Sequence, residues 1–246
     1  MCGRFVVPDE AAILACWPGI SQGQGHSWSA GFNIAPTRVI PILIPAPNGG
    51  LELLPVRWGL IPAWWQKETL PTMSFNARCE DAARKPLWRD SLRTQRCLIP
   101  ARGWYEWHCT ERTAALSGRY TPQPYFLFSP SRDVIALAGL WSQWQRPGAE
   151  PVFSCALLTK PAASGIAAIH PRMPVVLQPE FQANWLDPAT PLDTVQALIA
   201  NSEEGIQAHP VSLRVNDARQ DDAHLIQAIQ PPPPELDLFG TPSLYP

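Results

Sequence analysis

The chain has 246 residues, 19 basic and 21 acidic side chains, and a net charge of -2 at neutral pH. Apolar residues make up 46% of the chain, which is ordinary for a globular protein, and its length predicts one large domain. The weak charge excludes a broad basic surface, so any binding to nucleic acid must come from a local patch. No run of residues approaches the roughly 18 apolar positions that a membrane helix needs.

The cysteines and histidines show neither metal-ligand spacing nor a compact disulfide pattern. The six cysteines are Cys2, Cys16, Cys79, Cys97, Cys109 and Cys155. They form no C-x-x-C pair, and the five histidines do not cluster with carboxylates or cysteines. We therefore expect free thiols, no metal and no other cofactor. Because the N-terminus lacks the apolar core of a signal peptide, we also expect a cytoplasmic protein, and a monomer.

The first part of the chain predicts a short helix followed by a hairpin. Residues 9–17 have apolar side chains at helical spacing behind an acidic first turn, after a strand at the N-terminus. Residues 19–31 read as a polar loop. Residues 39–44 and 51–60 are rich in β-branched and aliphatic side chains, and the Asn-Gly-Gly turn at 48–50 predicts that they pair as a hairpin.

The rest of the chain is rich in predicted strands. Residues 80–95 have helical spacing that is broken at Pro86, so two short helices are predicted there. Strands are predicted at 97–100, 103–108, 125–128, 134–141, 152–159 and 174–177, and short helices at 161–169, 179–186 and 192–200. The pattern indicates an α+β fold over residues 1–230, with curved, barrel-like antiparallel sheets flanked by short helices. Residues 231–246 begin with four prolines and lack periodicity, which predicts a poorly ordered tail.

The N-terminus, Met-Cys-Gly-Arg-Phe, carries a chemical possibility of its own. Removal of Met1 would leave Cys2 with a free α-amine beside its thiol. With ordinary pKa values of roughly 7.7–8.0 for the amine and about 8.5 for the thiol, both nucleophilic forms would be present near neutral pH. An aldehyde could then condense with the amine, and the thiol could close a thiazolidine ring. From this residue alone, the simpler interpretation is favoured: Cys2 is a small second residue that permits methionine removal.

An alternating strand at 103–108 places a carboxylate among aromatic side chains. Strand geometry sets Trp104, Glu106 and His108 on one face and Tyr105 and Trp107 on the other. In a site, Glu106 would lie beside apolar rings that disfavour its ionised form and suit it to proton transfer. On an outer face it would be a solvated residue. The sequence favours neither alternative.

Two other polar clusters interrupt strand-like or apolar sequence. Asn76 offers a donor and an acceptor, and Arg78 offers a fork that fits phosphate. A capped helix start with a salt-bridged arginine would explain the same residues, and is favoured when the cluster is taken alone. His170 and Arg172 lie in a turn between two prolines, which suits an acid or base and an anion contact. A single loop histidine is more often a surface residue.

Ordered blocks along the chain resemble a known family. The blocks are MCGRF at 1–5, NIAPT at 33–37, RWGLIP at 57–62, NAR at 76–78, KP at 85–86, RCLIP at 96–100, GWYEW at 103–107, AGLW at 138–141 and IHPRMPV at 169–175. Together they resemble the SOS-response-associated peptidase (SRAP) family, whose members recognise abasic sites in single-stranded DNA. The resemblance runs from Cys2 to about Ile229 and leaves out the tail. It implies one α+β domain with curved antiparallel sheets around a positively lined groove.

The resemblance also implies a mechanism and its residues. After loss of Met1, Cys2 would capture the aldehyde of an abasic site in single-stranded DNA as a thiazolidine, with self-release and lyase activity as further steps. Asn76 would orient the sugar, Glu106 would shuttle protons, and His170 would assist Schiff-base chemistry. DNA contacts are implied for Arg4, Trp65, Arg78, Thr159 and Arg172. A protein bound in this way would be associated with the nucleoid.

Two other functions remain compatible with the same residues. A cysteine peptidase would use Cys2 as nucleophile, His170 as base and Glu106 as orienting group, on other proteins or on its own N-terminus. A non-enzymatic module would bind single-stranded DNA through tryptophans and arginines without needing Cys2. Cys79 departs from the family pattern, which has a small aliphatic residue there. It is either a buried small side chain or a second thiol near the site.

Overall fold

The computed structural model describes residues 2–23, 27–47, 49–72, 74–108, 122–202 and 205–230. The predicted poorly ordered tail, 231–246, lies outside these residues. The described part of the chain is a single α+β domain with fourteen strands, six short α-helices and two 3-10 turns.

The strands are β1 (Phe5–Val7), β2 (Ser21–Gln22), β3 (Gly31–Ile34), β4 (Val39–Pro45), β5 (Leu51–Trp58), β6 (Asn76–Arg78), β7 (Arg96–Ala101), β8 (Gly103–His108), β9 (Gln123–Phe128), β10 (Ile135–Trp144), β11 (Val152–Pro161), β12 (Arg172–Pro174), β13 (Val176–Leu177) and β14 (Gln207–Pro210). The helices are α1 (Glu10–Cys16), α2 (Cys79–Ala82), α3 (Pro86–Thr94), α4 (Ser164–Ala167), α5 (Pro179–Leu186) and α6 (Leu192–Ala200). The 3-10 turns span Leu213–Asn216 and Ala223–Ile226.

Five strands close into a barrel. Their order is β11-β10-β7-β4-β5, and β5 returns to β11 through a parallel pairing in which Cys155 lies opposite Trp58. The other neighbours around this ring are antiparallel. Gly139 lets β10 approach β7, because a Cβ at this position would lie 2.7 Å from the Cys97 Sγ. The barrel-like fold predicted from the strand pattern is confirmed.

A second sheet, β14-β9-β8-β1-β3, packs against the barrel and carries the N-terminus. Its strand β1 is antiparallel to both neighbours, with Phe5 opposite Trp104 on one side and Ile34 on the other. The Phe5 ring meets Trp58 of the barrel edge-on, with the ring centroids 5.0 Å apart. Cys2 belongs to the same buried cluster. The short segment before β1 therefore ends inside the interface between the sheets.

Local signals explain the helices that the sequence predicts. Asp9 caps α1 by accepting a hydrogen bond from the Ala12 amide at 2.9 Å. Pro86 opens α3, at a position whose amide has no intrahelical partner. The helix buries Trp88 and Leu92 in a hydrophobic cluster that also contains Leu98 and Trp185. No helix in the described ranges is both long and apolar enough to cross a membrane.

The structure corrects several sequence-based expectations. The helix expected at 161–169 is short, because β11 continues to Pro161 and α4 covers only four residues. The polar block at Asn76 is a strand and not a capped helix start, because β6 pairs in parallel with β11, Asn76 opposite Leu157. Three pairings of the described strands, β2–β5, β5–β11 and β6–β11, are parallel in otherwise antiparallel sheets. No pattern predicts β3 or β14.

Candidate functional site

The N-terminal segment brings Cys2 beside Glu106. The Tyr105 amide donates to the Arg4 carbonyl at 2.9 Å, in the register that pairs Phe5 with Trp104. Glu106 is the next residue along β8, and its carboxylate is close enough to Cys2 to raise the pKa of the thiol. Cys2 and Glu106 are each only 1% exposed. Both faces of β8 are covered here, since Tyr105 on the opposite face is also buried, and Glu106 is therefore not the solvated outer-face residue that one of the two alternatives described.

Asn76 reaches Cys2 from strand β6. Its Nδ2 donates to the Cys2 carbonyl at 2.6 Å. Phe75, the residue before this strand, is held by both β5 and β11. Its carbonyl accepts hydrogen bonds from Trp58 Nε1 and from the Leu157 amide, each at 2.9 Å. The Asn76 Oδ1 is buried and has no hydrogen-bond partner within the described residues. A buried acceptor without a donor is unfavourable, so this atom suits a ligand.

Glu106 and His170 form an acid–base pair. The Glu106 Oε2 lies 3.8 Å from the Nδ1 of His170, which precedes β12. Burial raises the pKa of Glu106 to about 7. Burial also lowers the pKa of His170 from its ordinary value. The carboxyl of Glu106 therefore titrates near neutral pH, and burial favours the neutral imidazole of His170.

The Cys2 thiol is not an ionised nucleophile in the intact chain. Burial raises the pKa of Cys2 well above its ordinary value, and the Glu106 carboxylate raises it further. The sulfhydryl contacts the Arg4 carbonyl at 3.7 Å. The expectation of a partly ionised thiol assumed a solvated terminus and is wrong for this environment. A protonated thiol needs a base in order to react, and Glu106 lies beside it.

Arg4 and Arg78, both expected to contact DNA, have different surroundings. The Arg4 guanidinium donates to Asn33 Oδ1 at 3.0 Å and to the Val215 carbonyl at 2.9 Å. Arg78 ends β6 and is exposed. Arg4 is therefore fixed by the protein, whereas Arg78 presents its charge to solvent.

Thr159 and Arg172 form one network with Glu80. The Arg172 guanidinium binds both carboxylate oxygens of Glu80, with Nη2 at 3.0 Å from Oε2. The same Nη2 donates to the carbonyl and the hydroxyl of Thr159, at 2.8 and 3.2 Å. The hydrogen bonds from Arg172 lower the pKa of Glu80 to about 2. Glu80 was not among the residues expected from the sequence, although it lies two residues after Arg78 in the same polar block.

Trp65 lies on a loop, residues 59–75, whose two ends meet at the site. The Gly59 amide donates to the Cys155 carbonyl at 2.8 Å, and the Leu60 amide donates to the Ser74 carbonyl at 3.0 Å. Asn76 follows directly. The loop is therefore fixed at its base to the strand that contacts Cys2.

The loop carries an aromatic and cationic surface. The Trp64 and Trp65 ring centroids are 5.8 Å apart, and Trp64 is 48% exposed. Trp144, at the end of β10, donates its Nε1 to the Trp65 carbonyl at 2.7 Å. Lys67 lies over the Trp65 ring and Arg146 over the Trp144 ring, at 5.6 and 5.1 Å from the ring centroids. We call these five residues the tryptophan platform. Of the five, the family resemblance pointed to Trp65 or its neighbour Trp64, and the other three had no signal in the sequence.

Cys79 lines a cavity of about 500 Å³ between α2, β11 and α6. Its thiol contacts Glu80 Oε2 at 3.4 Å, and burial raises its pKa to about 11. It is therefore a protonated and unreactive thiol at neutral pH. The part of the chain that the structure describes contains no group of three or more histidine, cysteine or acidic residues arranged to hold a metal ion.

Comparisons with known proteins identify the family of this chain. A family model described as SOS response associated peptidase (SRAP) matches residues 1–218. The abasic site processing protein YoqW of Bacillus subtilis (strain 168) is 32% identical over 235 residues, covering 93% of this chain and 100% of that protein. The abasic site processing protein HMCES of Xenopus tropicalis is 29% identical over 265 residues, covering 93% of this chain and 78% of that protein.

Solved structures share the fold. A protein from Bacteroides thetaiotaomicron matches with a TM-score of 0.70 at 22% identity, covering 81% of this chain and 85% of that chain. A phage-related protein from Bordetella bronchiseptica matches with a TM-score of 0.64 at 27% identity, covering 85% of this chain and 94% of that chain. With its family model spanning most of the described domain, the chain belongs to the SRAP family.

Proposed function

We propose that this protein senses and processes abasic sites in single-stranded DNA by joining Cys2 covalently to the sugar. The observation that carries the proposal is the buried cluster in which Cys2 meets Asn76 and Glu106, with His170 next to Glu106. The printed names of the relatives, which are abasic site processing proteins, support the same substrate.

The first step forms an imine. Loss of Met1 frees the Cys2 amine, which adds to the aldehyde carbon at C1′ of the open-chain sugar. The resulting carbinolamine loses its hydroxyl as water after protonation by the Glu106 and His170 pair. The unpaired Asn76 Oδ1 accepts a hydrogen bond from a sugar hydroxyl or from the amine, and so orients the two reactants.

The second step closes the ring. The Cys2 sulfur attacks the imine carbon, the C=N electron pair moves to nitrogen, the thiol proton passes to Glu106, and a proton from the Glu106 and His170 pair is delivered to the nitrogen. Burial suits Glu106 to this role, because a carboxylate with a pKa of about 7 takes up and returns a proton near neutral pH. Aldehyde and aminothiol thus yield a thiazolidine and water. Reversal releases the protein, whereas β-elimination from the open imine breaks the strand and gives lyase activity.

Recognition of a missing base must depend on the sugar and the backbone. Exposed Arg78 offers a phosphate contact, and the tryptophan platform offers rings on which any neighbouring base can stack. Neither interaction reads sequence. Selectivity for the lesion comes from the aldehyde, which intact DNA lacks.

The test is adduct formation with a single-stranded oligonucleotide that carries one abasic site. Wild-type protein, shown by intact mass to begin at Cys2, should give a denaturation-resistant band whose mass is the sum of the protein and oligonucleotide masses less one water. Cys2→Ala should give none. Cys2→Ser keeps the amine, so borohydride should trap an imine although no stable band forms without it. Cys16→Ala, which changes an exposed thiol, should behave as wild type.

The alternatives give different results in the same experiments. Absence of the band with wild-type protein contradicts the proposal. Cleavage of an added peptide by Cys2 would instead support a cysteine peptidase. Equal affinity for intact and abasic strands, independent of Cys2, would support a non-enzymatic binding module.

A further inference from the structure

We infer that Glu80 is a positioning residue for the pair formed by Glu106 and His170. It holds Arg172 so that the Arg172 backbone can hydrogen-bond His170 in both protonation states of the imidazole. The inference rests on the proposed function of the site and adds a residue to its machinery.

The His170 Nδ1 has two backbone partners on one residue. The Arg172 amide lies 3.1 Å from this nitrogen, and the Arg172 carbonyl oxygen lies 3.0 Å from it. An unprotonated Nδ1 accepts from the amide, and a protonated Nδ1 donates to the carbonyl. His170 can therefore gain or lose a proton at Nδ1 without turning its ring or losing its hydrogen bond.

The nitrogen with these two partners is also the one that faces Glu106, at 3.8 Å. At 3.8 Å the two atoms need one bridging water or a small approach on DNA binding, and a proton that leaves the Cys2 thiol for Glu106 can then pass on to Nδ1 and return when the ring reopens. Glu106 and His170 thus form a proton relay, and the Arg172 backbone holds its His170 end.

Glu80 fixes the position of Arg172 by binding its side chain. Both carboxylate oxygens bind the guanidinium, which also donates to Thr159 on β11. Glu80 lies on α2, directly after the strand that carries Asn76. One short segment therefore supplies the amide that contacts Cys2 and the carboxylate that holds the partner of His170.

Glu80 also balances charge near His170. Burial lowers the pKa of His170 most, the hydrogen bond with Arg172 raises it, and the positive charges of the amino terminus and Arg172 lower it. Glu106 faces the imidazole from β8. Without Glu80 the charge of Arg172 is uncompensated, so the pKa of His170 falls further.

The test compares Glu80→Gln with Asp81→Asn. Asp81 is the adjacent carboxylate on α2 and pairs with Lys85 at 2.8 Å on the surface. The measured quantity is the rate of adduct formation at saturating abasic oligonucleotide, from about pH 5 to about pH 9. Glu80→Gln should be slower by roughly tenfold to a hundredfold, with the acidic limb of its profile moved to lower pH. Asp81→Asn should match wild type, and Glu80→Asp, which keeps the charge, should return the limb to its wild-type position.

The pH profile distinguishes a positioning role of Glu80 from a purely structural one. Glu80→Gln with the wild-type rate and profile overturns the inference, and so does a slower rate with an unmoved profile. Thermal unfolding and affinity for intact strands show whether the variant is folded. If wild-type protein forms no adduct, the proposed function fails. If it forms one and Glu80→Gln is indistinguishable from it, this inference alone fails.

Discussion

Asn76 and Trp64 lie on neighbouring stretches of chain, yet they belong to regions with opposite physical character. The site that contains Asn76 is buried, and burial shifts the pKa values of Cys2, Glu106 and His170. The tryptophan platform is open, with Trp64 48% exposed. In the proposed function, the buried region carries out the reaction and the exposed region makes base-tolerant contacts. Variants of the two regions should therefore separate reaction from binding.

The largest expected effect is on the reaction. Glu106→Gln removes the proton acceptor without changing the size of the side chain, so we expect capture of an abasic strand to slow by about 10² to 10⁴. Single-turnover rates at saturating DNA measure this. Affinity for an intact strand should stay at the wild-type value, and an equal loss of affinity would show that Glu106 supports the fold instead.

The same variant should gain stability at high pH. Burial raises the pKa of Glu106 from about 4.5 to about 7, so its neutral form favours the folded state below about 4.5 and this contribution is lost as the pH rises through about 7. The shift corresponds to at most roughly 3 kcal/mol. Denaturant unfolding near pH 5 and near pH 8 should show wild type losing more stability than Glu106→Gln between the two. Parallel losses would contradict the assigned pKa shift.

A smaller effect is expected on the platform. Trp64→Ala removes an exposed stacking surface and should weaken DNA binding by about 1 to 3 kcal/mol. The rate at saturation should not change, because the reacting groups lie elsewhere. Fluorescence anisotropy with a labelled oligonucleotide measures the affinity. Leu213→Ala, at a side chain that is 49% exposed, is the control and should have no effect. If Trp64→Ala reacted more slowly at saturating DNA, the platform would take part in the reaction, and the division between the two regions would be wrong.

The smallest effect is expected at Arg78. Arg78→Ala should weaken binding uniformly across sequences and reduce the slope of log K against log salt concentration by about 1. Arg219→Ala is the matched control, since this side chain is 89% exposed and paired with Asp217. An unchanged slope for Arg78→Ala would remove Arg78 from the DNA contacts.

The sequence predicts elements well where the signal is local. The helix expected over residues 9–17, the break at Pro86 and the hairpin at 39–60 each depend on nearby residues, and the structure contains all three. Strand β6 shows the limit. Its three residues have no strand signal of their own, and they become a strand because they pair with β11, which is distant in sequence.

For the site, the sequence by itself determined which chemical groups are available: an N-terminal thiol, an amide, a carboxylate among aromatic rings and a histidine in a rigid turn. Only the tertiary structure decided that they meet, that the thiol is protonated, and that Arg172 binds Glu80 from 92 residues away. The physical reason is that residue type is fixed by the chain, whereas a pKa and an ion pair depend on burial and on neighbours that are distant in sequence.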